Sequence, residues 1–199
     1  MVCFFLSLPA GALVVATATS DRGRAGAFVY AFGLAAVFGV SGLYHRGRWS
    51  PVARARMKRL DHATIFVMIA GTYTPVCLVA LNASGTVMLV AMWVGAALGL
   101  GMALSGIAER RVIGLVSYLL LSWAAAISLP ELSARVSNQV LALILVGGVV
   151  YTAGVVVLAT RWPNPVPRVF GYHEVWHVMV VAAVVCHFLA ILSIVRLDA

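Results

Sequence analysis

The sequence predicts an all-α protein: seven membrane-spanning helices in one domain over residues 1–199, with the amino terminus in the cytoplasm. Three observations carry this expectation. Of 199 residues, 63% are hydrophobic and 10% charged, and the mean hydropathy is +1.03, whereas soluble domains carry about 25% charged residues. No charged residue occurs over 63–108, 112–130 or 136–160. The basic residues fall between the apolar runs, the pattern of membrane topology.

A span needs about 20 predominantly apolar residues, and the apolar runs place helices at about 2–19, 25–45, 61–81, 86–106, 113–129, 137–160 and 171–195. The first is apolar almost from Met1. Its Ala16-Thr17-Ala18 resembles a small-residue signal-peptidase site, but no basic residue precedes the core as such signals require, so the segment reads as a retained span. The second follows Asp21, Arg22 and Arg24. The third opens at Asp61 after a basic run and contains Thr72-Tyr73-Thr74-Pro75, a polar, proline-interrupted stretch that predicts a kink. In the fourth, Gly95-Ala96-Ala97-Leu98-Gly99 has the small-residue spacing of close helix packing. The fifth is short, with Pro130 expected to end it. The sixth is uninterrupted, and the seventh starts at a histidine pair. Three scattered cysteines, Cys3, Cys77 and Cys186, give neither a disulfide framework nor a Cys-x-x-Cys metal site.

Orientation follows from Lys and Arg. Alternating loops put Arg46, Arg48, Arg54, Arg56, Lys58, Arg59, Arg110, Arg111, Arg161 and Arg168 on one face, six of them in one expected loop. The other face has Arg22, Arg24, Arg135 and Arg196. Ten against four places the first face in the cytoplasm and the carboxyl terminus outside. Trp49, Trp162 and Trp176 fall near that boundary, as interfacial tryptophans do. A net charge of +8 would suggest nucleic acid in a soluble protein. Here no separate basic domain exists to bind it, and the charge reads as a surface for anionic lipid headgroups.

Polar residues cluster on the same side. His45 ends the second span, Asp61 and His62 begin the third, and His173 and His177 begin the seventh. His173 and His177 are four residues apart and share a helix face, the reach a tetrahedral zinc needs from one helix. The reading assigns Zn2+ to His45, His173 and His177 with water in the fourth position, the open form of a catalytic site. Asp61 is the partner of that water or of a ligand imidazole. Ser41, four residues before His45 and about 6 Å deeper, is a neighbouring donor. Each residue has a simpler alternative. The histidines can sit in the interface bonded to headgroups or loop carbonyls, and Asp61 can cap a helix or pair with Lys58 and Arg59. His62 is turned about 100° from Asp61 around the helix and is expected to pack elsewhere. His187, about 15 Å deeper than His177, reads as a hydrogen-bond donor between helices.

Four segments resemble one family: Ser41-Gly42-Leu43-Tyr44-His45, Leu60-Asp61-His62-Ala63-Thr64-Ile65-Phe66, Ala70-Gly71-Thr72-Tyr73-Thr74-Pro75, and Gly171-Tyr172-His173-Glu174-Val175-Trp176-His177. In this order, from about residue 30 to 192, they look like the hemolysin III family, the bacterial branch of the progestin and adipoQ receptors, within a wider group that includes alkaline ceramidases. The resemblance implies a seven-helix fold with a zinc site near the cytoplasmic face and ligands at His45, His173 and His177, with Asp61 and Ser41 alongside. Relatives usually carry a polar stretch, often with a histidine, before the first span; here the sequence opens on apolar residues.

The functional expectation is a zinc-dependent lipid amide or ester hydrolase in the plasma membrane, with membrane lipids as partners and an acyl-chain lipid as substrate. The alternatives are a zinc-stabilised, non-enzymatic regulator of membrane state, a cytolysin, and an intramembrane metalloprotease. The last rests on His173-Glu174-x-x-His177 matching the zinc-protease pattern with Glu174 as general base. It needs a third ligand suited to it, and His45 with Asp61 fits the hemolysin III arrangement better; Glu174 reads instead as a carboxylate at the positive end of a helix. Seven apolar spans without a soluble form argue against a secreted cytolysin.

Overall fold

The structure is a computed structural model that describes residues 1–197, without the side chains of Ala83, Glu109, Arg111 and Ala125; Arg111 of the basic count thus lies outside the described side chains. Helices α1 (Val2–Thr17), α2 (Asp21–Arg46), α3 (Pro51–Pro75), α4 (Ala83–Leu104), α5 (Arg111–Trp123), α6 (Leu129–Ser133), α7 (Asn138–Thr160) and α8 (Tyr172–Ile194) follow one another. The described residues contain no strand, only an isolated bridge between Val166 and Phe170.

Among the described residues, six stretches are long and apolar enough to cross a membrane: Asp21–Arg46, Pro51–Ala80, Ser84–Leu104, Val112–Ser133, Asn138–Thr160 and Tyr172–Ile194. The first expected span, α1, has 16 residues, about 24 Å against a hydrocarbon core of about 30 Å. The helices carry large apolar side chains on their outer faces, among them Phe28, Phe32, Val87, Leu98, Leu120 and Val149. A helix apolar all round is made for a lipid or core environment.

Two boundaries differ from the sequence expectation. The third helix begins at Pro51 rather than near Asp61, because Ser50 caps it by accepting the Ala53 N–H at 3.4 Å and proline occupies its first turn. The basic run expected as a loop is therefore mostly helix. The fifth span is not ended by Pro130. A 3₁₀ segment over Ala124–Ser128 intervenes, and Pro130 sits in the first turn of α6, where its missing N–H costs nothing. At the proline-interrupted stretch Thr72–Pro75, the α-helix gives way to a π turn over Val76–Ala80, since proline cannot donate to the carbonyl four residues back.

The chain falls into two compact units, Met1–Arg135 with Ile191–Ala199, and Val136–Ala190. In the first, helices that follow one another pack together wherever small residues admit a neighbour. A Cβ on Gly26 of α2 would stand 2.7 Å from the Pro75 Cα of α3. One on Gly99 of α4 would stand 2.2 Å from the ring of Phe66 of α3, and one on Gly95 would stand 2.6 Å from Leu121 of α5. In a membrane, where lipid is as apolar as leucine, such close approach is a main source of helix association. Specific polar ties join these helices. The Trp93 indole donates to Thr74 Oγ1 at 3.1 Å, the Tyr73 hydroxyl donates to the Ser122 carbonyl, and Glu131 accepts the Asn82 N–H at 2.6 Å together with the Ser84 hydroxyl.

The second unit pairs α7 with the main part of α8. Gly147 and Gly154, seven residues apart on α7, face the ring of His187 and the indole of Trp176; a Cβ would come within 2.8 Å and 3.0 Å of them respectively. His187 thus fills a helix–helix contact. Trp176 is buried at 7% exposure beside Tyr151, while Trp162 is 74% exposed.

Candidate metal site

The start of α8 is fixed by two side chains. Glu174 accepts the Gly171 N–H at 2.9 Å, and Asn164 Oδ1 accepts the Tyr172 N–H at 3.2 Å. A glutamate that reaches back to the residue three before it is half of a capping box, and it satisfies an N–H the helix leaves open. With the first turn set, His173 and His177 fall on one face. Their ring centroids are 4.6 Å apart at an interplanar angle of 89°, and their Nε2 atoms approach to 3.1 Å. Both rings are half-buried, and the buried Trp176 between them in sequence anchors this turn against Tyr151 and Gly154 of α7.

The donor set can be tested for its fit to zinc. Two imidazole nitrogens bound at 2.0–2.1 Å in tetrahedral geometry stand about 3.3 Å apart. The observed 3.1 Å is close to that value and is also the length of an N–H···N hydrogen bond. The spacing of the two Nε2 atoms on this turn therefore suits a shared zinc ion as well as it suits a hydrogen bond.

The other expected residues lie in the first unit. His45 is in the last turn of α2 and is exposed, with Ser41 one turn earlier on the same face. The His45 ring packs edge-on to Tyr44 at 4.7 Å, and the guanidinium of Arg54 lies over the Tyr44 ring at 5.6 Å. Asp61 does not begin its helix; it is half-buried in the third turn of α3, whose cap is Ser50. The capping alternative for Asp61 is thereby removed, and its backbone carbonyl accepts the Thr64 hydroxyl at 2.8 Å. The neighbouring His62 carbonyl accepts the Tyr118 hydroxyl at 3.3 Å. The His173–His177 pair was legible from spacing. Tyr44, Arg54 and Asn164 were missed, since no local motif announces them; the Ser50-Pro51 start signal was available and was masked by the charges that follow it.

The family described as "Haemolysin-III related" matches residues 1–188. The chain is similar to "Hemolysin-3 homolog" of Bacillus subtilis (strain 168), 28% identical over 134 residues, which cover 67% of this chain and 60% of that protein. It is also similar to "Hemolysin-3" of Bacillus cereus, 26% identical over 192 residues, 94% of this chain and 84% of the relative. The first of these matches spans less than two thirds of the relative's own length.

Proposed function

The chain belongs to the haemolysin-III family and is a multi-span membrane protein, and from that premise we propose that it is a zinc-dependent hydrolase of lipid amides or esters acting within the plasma membrane. The observation that carries this reading is the approach of His173 and His177 Nε2 to 3.1 Å on a capped helix turn. His45 is the third ligand in this proposal, as its position at the end of a span on the basic side of the sequence suggests. Zinc held there supplies a Lewis acid for the scissile carbonyl and makes water a stronger acid, with a pKa brought towards about 7.

The remaining roles belong to the chain. A carboxylate oxygen of Asp61 accepts the proton of the attacking water as its oxygen bonds to the carbonyl carbon. Asp61 then returns that proton to the amine or alcohol as the C–N or C–O bond breaks, leaving a fatty acid. Ser41 donates a hydrogen bond that holds a ligand imidazole or the water in place. The apolar helix surfaces suit an acyl chain entering from the bilayer. Basic residues gather at one end of the spans, around the α2–α3 turn and in the first turns of α3, which supports a cytoplasmic position for this face.

The test joins metal content with turnover. Purified wild type is expected to hold about one zinc per chain and to release fatty acid from a panel of ceramides, glycerolipids and acyl amides. Asp61→Asn is expected to keep zinc and fold while losing turnover. Zinc without any turnover in the wild type would assign the site to helix stapling in a non-enzymatic regulator. Absence of zinc in well-folded protein would overturn the proposal.

A further inference from the structure

Apart from the histidines, the densest chemistry on the protein is the corner where α2 turns into α3. Arg46, Arg48, Arg54 and Arg56 are all exposed there, with Trp49 and Val52 exposed among them. No Asp or Glu occurs between Arg22 and Leu60. We propose that this corner is a docking surface for the headgroups of anionic phospholipids.

Length places the corner at headgroup level. The stretch Pro51–Ala80 has 30 residues, about 45 Å of helix against a hydrocarbon core of about 30 Å. The excess is about ten residues. The first ten, 51–60, hold Arg54, Arg56, Lys58 and Arg59, whereas 61–80 hold Asp61 as their one charged residue. The helix therefore leaves the hydrocarbon where its basic residues begin.

The corner is also built rather than loose. The Leu43 carbonyl accepts both the Gly47 N–H at 2.8 Å and the Trp49 indole N–H at 3.1 Å. The indole lies so close that a Cβ on Gly47 would meet Trp49 Nε1 at 2.4 Å. Ser50 caps α3, and Arg54 reaches back over Tyr44 of α2. The guanidinium groups are thus carried on a fixed turn, which lowers the entropy lost when they bind phosphate. Exposed tryptophan and valine beside arginine suit an interface with apolar and anionic layers, and this favours lipid over an acidic protein or nucleic acid. The surface acts without the metal, so its success or failure is separate from that of the hydrolase reading.

The experiment places the full chain in nanodiscs of phosphatidylcholine and phosphatidylglycerol in equal amounts and measures by mass spectrometry the lipid that stays bound after detergent exchange. Wild type is expected to retain phosphatidylglycerol over phosphatidylcholine by about threefold, and 0.5 M salt is expected to reduce that ratio towards one. The combined Arg46→Gln, Arg48→Gln, Arg54→Gln and Arg56→Gln variant should lose the preference. A control neutralising Arg22, Arg24, Arg161 and Arg168 should keep it. If the fourfold variant does not fold, Arg46→Gln with Arg48→Gln, which leaves Arg54 over Tyr44, should still halve the ratio. An unbiased wild type, or a control that loses as much as the corner variant, would overturn the proposal. Capture of an acidic peptide in neutral discs without lipid preference would overturn it in favour of a protein partner.

Discussion

His177 Nε2 stands 3.1 Å from His173 Nε2 one helical turn earlier, with the turn beneath them held by Glu174 on the Gly171 N–H. If this pair holds zinc, stability must depend on the metal. Binding to the folded state alone contributes about 2.7 kcal/mol when free zinc exceeds its Kd a hundredfold. Chelation of the wild type in detergent is expected to lower its unfolding temperature, and His177→Ala should start low and not respond to chelator. Thermal unfolding followed by tryptophan fluorescence checks both. Equal response of the two proteins would remove zinc from this turn.

Glu174 separates the hydrolase proposal from the protease pattern. A general base contributes about 10²–10⁴-fold to rate, whereas a capping carboxylate contributes about 1 kcal/mol to stability. Glu174→Gln keeps an oxygen for the Gly171 N–H and loses only the charge at the helix end, so it is expected to cost at most about 0.3–1 kcal/mol and to leave lipid turnover within about threefold. A hundredfold loss of turnover with unchanged stability would make Glu174 a catalytic base.

Gly99 and Gly101 lie on one helix and should respond in opposite ways. A Cβ at Gly99 meets the Phe66 ring at 2.2 Å, and that ring is buried at 1% exposure, whereas nothing lies within 4 Å of a Cβ at Gly101. Gly99→Ala should destabilise by about 1–3 kcal/mol through overpacking. Gly101→Ala should be neutral or slightly stabilising, since alanine is the better helix former by about 1 kcal/mol. Unfolding of the two variants in mixed micelles reads this difference directly.

The bond from the Trp93 indole to Thr74 Oγ1 ties α4 to the turn before the π segment. A double-mutant cycle of Trp93→Phe and Thr74→Val is expected to give a coupling of about 0.6 kcal/mol, the usual size for such bonds in membranes. A coupling near zero would mean the two side chains pack without a bond that matters.

Much of this molecule was legible before its structure. The apolar runs marked the helices because a span needs length and apolarity, both local properties. The His173–His177 pair followed from a four-residue spacing that any α-helix turns into one face. The start of α3 was legible too, in Ser50-Pro51, but the charges of residues 54–59 suggested a loop. A helix that outruns the hydrocarbon tolerates charge in its first turns. Trp176 illustrates the opposite case: its position near a helix end said nothing about its neighbours, and only the fold packs it against Gly154.

The sequence by itself determined which segments are apolar helices, between which of them positive charge gathers, and which histidines share a helix face. Each of these depends on residues within a few turns of one another. Tertiary structure decided what lies against each helix: Phe66 in the space left by Gly99, His187 over Gly147, and Arg54 over Tyr44 beside His45. Those contacts come from shape and reach between segments distant along the chain. No local pattern encodes them, because the same glycine or arginine would serve equally well against other neighbours.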